Sequence, residues 1–155
     1  METEFIIIGI VIVVLFVGPF AYIHLSSSDK KKLIKLFSDD AMRLGVVGKT
    51  LLFDKKAVVI SHDKSKLYLA SSESYHIEES QGLSITCDST ISLLVNQKEL
   101  TNILDYSMKI NSIELLIVNN KDNQSTLFTL FDYTINNPLD GLDFLEKAKK
   151  VVKLM

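Results

Sequence analysis

A chain of 155 residues has room for one compact domain and one further segment, and a net charge of −2 with 23% charged residues is that of an ordinary folded protein. Glu2 and Glu4 account for the whole excess, since the 17 basic residues and the other acids all lie from Asp29 onward. Residues 57–146 hold thirteen acids against five lysines, a balance unsuited to nucleic acid, which needs a broad basic face against phosphates.

The first element is an apolar run. Residues 5–25 carry no Asp, Glu, Lys or Arg. As a helix they would span roughly 31 Å, close to the hydrocarbon thickness of a bilayer, so a single transmembrane anchor is expected over residues 1–25. Gly18-Pro19 falls near its far end, and Tyr22 and His24 fall where polar-tipped rings favour the membrane interface. A cleaved signal peptide would begin on a positive stretch and end in small residues; this run follows Met-Glu-Thr-Glu and ends in Pro-Phe-Ala-Tyr-Ile-His. A buried core helix would need covering on every side, which a domain this small is poorly able to do. Lys30, Lys31, Lys32 and Lys35 follow the run and no basic residue precedes it. The positive-inside rule then puts the N-terminus outside and the rest in the cytoplasm, and a bacterial inner membrane is the expected location. Each of these lysines would also gain about 1 kcal/mol near an anionic leaflet.

Residues 26–48 read as a basic membrane-proximal connector. Ser26 to Asp29 offer capping side chains, Leu33, Ile34, Leu36, Phe37, Ala41, Met42 and Leu44 recur at helical spacing, and Gly45 stops the pattern. An amphipathic helix is therefore expected over 29–44. From residue 49 the vocabulary turns to strands, expected at 50–53, 57–60, 66–70, 75–77, 83–87, 91–95, 113–118 and 125–131. Residues 61–65 and 119–124 read as hairpin loops, and 97–106 as a short helix through Leu100, Ile103 and Leu104. A closing helix is expected over 138–153, with Asn137 as cap, Pro138 at the first position, and Asp140 and Asp143 at the positive end of its dipole. Its apolar stripe reads Leu142, Leu145, Ala148, Val152 and Met155, widened by Phe144 and Val151, with the lysines facing away. Strands followed by a packed helix make residues 49–155 an α+β domain.

The chemistry-bearing motifs each have a plainer reading. Gly45-Val-Val-Gly48-Lys49-Thr50 suggests a phosphate loop, but Arg43 stands where the first glycine belongs, and a helix precedes where a strand is required. His62-Asp63, and His76 with Glu78, could contribute metal ligands, yet a third ligand is missing and surface polar residues at a hairpin explain them. Cys87 needs a neighbouring base to act as a nucleophile; alone at a strand end it reads as a small core residue, and it fits a reducing compartment. Asn123-Gln124-Ser125 matches the glycosylation sequon but would face the cytoplasm. No residue is assigned to catalysis, to a cofactor or to a metal.

A resemblance in element order covers roughly residues 50–155 and begins in residues 57–79. Ala-Val-Val-Ile-Ser-His-Asp-Lys-Ser-Lys-Leu-Tyr-Leu forms a strand pair around an Asp-Lys turn, followed by Tyr75-His-Ile-Glu-Glu, later hairpin strands and the terminal helix. This order resembles small bacterial and prophage proteins with a membrane anchor and a pleckstrin-homology-like domain. The resemblance implies a partly open barrel of about seven strands plugged by the last helix, with no catalytic residues and a binding or scaffolding role. The expected function is a membrane-tethered, non-enzymatic interaction module whose partners are the lipid bilayer, a protein bound at a sheet edge or strand loops, and secondarily anionic lipid headgroups. The alternative is a small membrane-bound enzyme or toxin-like, phage-exclusion effector using His62, His76 or Cys87.

Overall fold

The structure, a computed structural model, describes residues 2–73, 81–86, 89–100 and 109–155, with side chains described except at 2–6, 8–10, 12–14, 16, 81 and 83–86. Its first element is one helix, α1, Glu2–Arg43. The sequence suggested two helices parted near Ser26 to Asp29, and here the expectation is corrected. Ser27 turns its hydroxyl back to the His24 carbonyl, 2.9 Å away, so it is satisfied within the helix and caps nothing. The resulting rod of 42 residues is about 63 Å long, with Pro19 inside it. It ends as expected at Gly45, whose φ of +74° suits a residue without a Cβ. The Val46 N–H donates to the Ala41 carbonyl and the Gly45 N–H to that of Met42, which closes the last turn, and Val46 and Ala41 are buried in the same cluster.

Two antiparallel sheets follow. The first holds β1 (Gly48–Phe53), β2 (Lys56–Ser61), β3 (Lys66–Ser71) and β4 (Gln81–Thr86) in the order β1-β2-β3-β4. The second holds β5 (Ser89–Val95), β6 (Lys98–Glu99), β7 (Ser112–Asn119) and β8 (Ser125–Asp132) in the order β6-β5-β7-β8. Among the described residues no ladder joins the two sheets, so there is no closed barrel. The expected strand at 75–77 and most of the expected helix at 97–106 lie outside the described residues. Where that helix would begin, Lys98–Glu99 is a strand instead, turned back on β5 through Asn96 and Gln97 at positive φ. The chain closes with a 3-10 turn, η1 (Pro138–Asp140), and α2 (Gly141–Leu154).

Alternation along the strands sorts side chains to two cores. Val58 and Ile60 of β2 and Leu67 and Leu69 of β3 face the second sheet, joining Leu93, Val95, Ile113, Leu115, Ile117, Leu130 and Phe131. Their neighbours Ala57, Val59, Tyr68 and Ala70 point the other way, onto Leu33, Phe37 and Ala41 of α1. Ala57 pairs with Ala70 and Val59 with Tyr68, so a floor of small residues lies under the helix beside one large ring. Because both faces of the first sheet are covered, β2 and β3 are buried almost continuously. The residues read as a connector therefore carry core side chains.

A register shift opposite Ile113 and Glu114 sets Leu130 as an extra residue in β8, and both Leu130 and Phe131 are fully buried. The α2 residues Gly141, Phe144, Leu145, Ala148 and Val151 are buried. Leu142, expected in the buried stripe, is exposed, because the stripe is centred on Leu145 and Ala148 and Leu142 falls beyond its edge. Phe144 stands edge-on to Phe53 of the first sheet, centroids 5.7 Å apart, and to Phe131 of the second at 5.5 Å, tying three elements at one point.

Candidate membrane-proximal site

Lys30, Lys31, Lys32 and Lys35 are all solvent-exposed on α1. Their positions relative to the buried stripe Leu33–Phe37–Ala41 divide them. Lys31, Lys32 and Lys35 face away from the sheet, whereas Lys30, one turn before Leu33 and Ile34, stands at the sheet's edge. Lys32 also lies 3.9 Å from the half-buried Asp29, a surface pair of small energetic consequence because the lysine is open to solvent.

Lys30 and Ile34 form one wall of a groove of about 450 Å³. Thr50, Leu51, Leu52 and Asp54 of β1 and its turn form the floor, and Asp140, Asp143, Phe144 and Lys147 form the far wall. Asp54 occupies the turn at φ 55°. Lys147 is 2.6 Å from Asp143, one helical turn before it, and its ammonium lies 5.8 Å from the centre of the Phe144 ring. Beside the groove, Lys56 donates to the Thr129 carbonyl and so links the two sheets. Burial pushes its pKa down, and the nearby Asp132 and Asp54 carboxylates offset part of that. The Asp132 carboxyl is held below its ordinary range first by hydrogen bonds from Thr134 and then by Lys56.

The opposite end of the domain holds His62 and Asp63. Both occupy the β2–β3 turn, in a shallow depression with Gly45, Val47, Ser61, Ser65 and Lys66. Hydrogen bonds from Ser61 and Ser65 pull the Asp63 carboxyl down to about 2. The Ser65 amide also donates to Asp63, 3.1 Å away, and these contacts build the turn. The Gly45 to Thr50 segment leads from a helix into a strand, so no helix N-terminus faces it to hold phosphate. His76, Glu78 and Cys87 lie outside the described residues. Among the described residues no three His, Cys, Asp or Glu side chains gather as metal ligands.

Among the described side chains of residues 5–25, Ile7, Val11, Leu15, Val17, Phe20, Tyr22, Ile23 and Leu25 are exposed. Counted over the described residues, no helix is long and apolar enough to cross a membrane.

Sequence reasoning missed the groove and the segment beside it. Tyr133, Ile135, Leu139 and Leu142 are exposed around η1. Apolar residues flanking Asn136-Asn137-Pro138 were the available signal, since a turn of that composition has no interior in which to bury them.

No protein-family model, curated protein or solved structure matches the chain.

Proposed function

We propose that this chain is a membrane-tethered interaction module, not an enzyme, held in a bacterial inner membrane through residues 5–25 with its α+β domain on the cytoplasmic side. The supporting observation is the continuity of α1. The same helix that exposes Ile7, Val11, Leu15, Val17, Phe20, Ile23 and Leu25 also buries Leu33, Phe37 and Ala41 in the domain. Exposed apolar surface on that scale needs an apolar surrounding, and a bilayer supplies one. Lys30, Lys31, Lys32 and Lys35 then fall where anionic headgroups meet the cytoplasm, which favours this orientation.

The domain reading is pleckstrin-homology-like. A meander of four strands, a second antiparallel sheet and a terminal helix packed on both support it. The partner we infer is a protein that adds a strand to β8. This edge strand leaves Ser125, Thr126 and Leu127 exposed, and its far end is closed by Lys56 on the Thr129 carbonyl.

Alkaline carbonate washing of membranes tests the tether. The full chain should stay in the pellet, while a fragment of residues 29–155 should move to the supernatant. Release of the full chain would end the reading.

A further inference from the structure

We propose that the segment from Tyr133 to Leu142 is a second membrane contact, which lays its exposed apolar side chains into the interface of the bilayer that holds α1. The inference rests on the tether proposed above and adds which face of the domain meets lipid.

The geometry is set by chain direction. From Lys30 to Arg43, α1 runs about 20 Å away from the apolar half, and the six residues of β1 return a similar distance. The groove shared by Lys30, Ile34 and Thr50 to Asp54 places the end of β1 level with Lys30. Other contacts bring further segments to this end. Lys55 donates to the Glu73 carbonyl, and its own carbonyl accepts from the Ser72 amide. Asp132 faces Lys56, and Asp140 and Asp143 line the groove with Lys30. The segment between Asp132 and Asp143 therefore belongs to the end nearest the apolar half of α1.

That segment displays four large apolar residues, with Ile135 78% and Leu139 87% exposed and Tyr133 and Leu142 also open. The display is built. Asp132 accepts from the Thr134 amide and hydroxyl, Asn136 from the Asp132 amide, and Asn137 from the Leu139 amide. Lys109 sits 4.2 Å from the centre of the Tyr133 ring. Polar side chains thus spend their hydrogen bonds holding the backbone, while the apolar ones point outward. Lys30 lies only five residues, about 7.5 Å, beyond Leu25. The headgroup layer is of similar thickness, so side chains projecting from this end reach it. Met42, Leu44 and Val47 are exposed as well, but near the C-terminus of α1, a domain's length from the bilayer.

The chain has no tryptophan, so single substitutions give clean reporters. Full-length Leu139→Trp, Ile135→Trp, Val47→Trp and Phe20→Trp would each be reconstituted in phosphatidylcholine–phosphatidylglycerol vesicles, with and without brominated lipid. Leu139→Trp and Ile135→Trp should emit to the blue of Val47→Trp and be quenched by brominated lipid, as Phe20→Trp is, while Val47→Trp stays water-like and unquenched. Water-like, unquenched emission at 139 and 135 beside a quenched Phe20→Trp would overturn the contact and leave the tether standing. Blue-shifted but unquenched emission there would mean a protein covers the segment, and would also overturn it. An unquenched Phe20→Trp would remove the tether and the contact together.

Discussion

Replacing Leu145 with alanine removes most of a side chain that is 2% exposed and clustered with Leu115, Ile117 and Leu130. Returning a leucine side chain to water is worth about 1.5–3 kcal/mol, and an unfilled cavity adds to that. The neighbours belong to a paired β7 and β8, which limits collapse into the space. A loss of about 3 kcal/mol is expected, a large share of the 5–15 kcal/mol typical of a domain. In urea unfolding of a fragment spanning residues 29–155, which keeps both buried clusters, the midpoint should fall by about 1–2 M. Lys150→Ala is the control, because Lys150 is exposed on the same helix and its replacement should change stability by no more than about 0.5 kcal/mol. Small and equal effects would mean that α2 contributes nothing to the core. Large and equal effects would mean that its outer face is covered too.

Phe37→Ala, at a fully buried position, should cost about 3–5 kcal/mol in the same melts, and a fragment starting at Val46 should aggregate because it bares Ala57, Val59, Tyr68 and Ala70. If that shorter fragment is monomeric and folded, α1 is dispensable to the domain. Carboxyl NMR should place the Asp63 midpoint at about 2, and Ser65→Ala should raise it. The depressed value means that this group's stabilisation is present above the ordinary aspartate range and is lost as pH falls toward 2. A midpoint near 4 would contradict the hydrogen-bonded turn.

The strands found at β1 to β5, β7 and β8 were legible because apolar runs such as Ala57 to Ile60 and Ile113 to Val118 are followed by turns in which Asp63 and Asp122 accept from the backbone two residues on, whereas the short β6 was not. The closing helix was legible from Asn137-Pro138, although that pair caps a 3-10 turn before α2 begins. Leu142 was misplaced because an apolar residue one position off the buried stripe reads the same in sequence as one on it. The unbroken α1 was hidden for a local reason. Three serines and an aspartate are good caps in sequence, but the Ser27 hydroxyl bonds to the His24 carbonyl within the helix, a choice that residue type does not record. The groove was not legible, since it needs α1, β1 and α2 side by side, and no local pattern records that.

Orientation is the most direct test of the central claim that α1 carries the domain across the membrane to the cytoplasmic side. Alkaline phosphatase, active only outside the cytoplasm, and a green fluorescent reporter, active only inside, would each be fused after Met155 and expressed with the native lysines. The account predicts fluorescence without phosphatase activity. It also predicts mixed signals once Lys30, Lys31, Lys32 and Lys35 are replaced by glutamine, because the charge difference between the two flanks is then lost. Phosphatase activity without fluorescence in the native chain would contradict it.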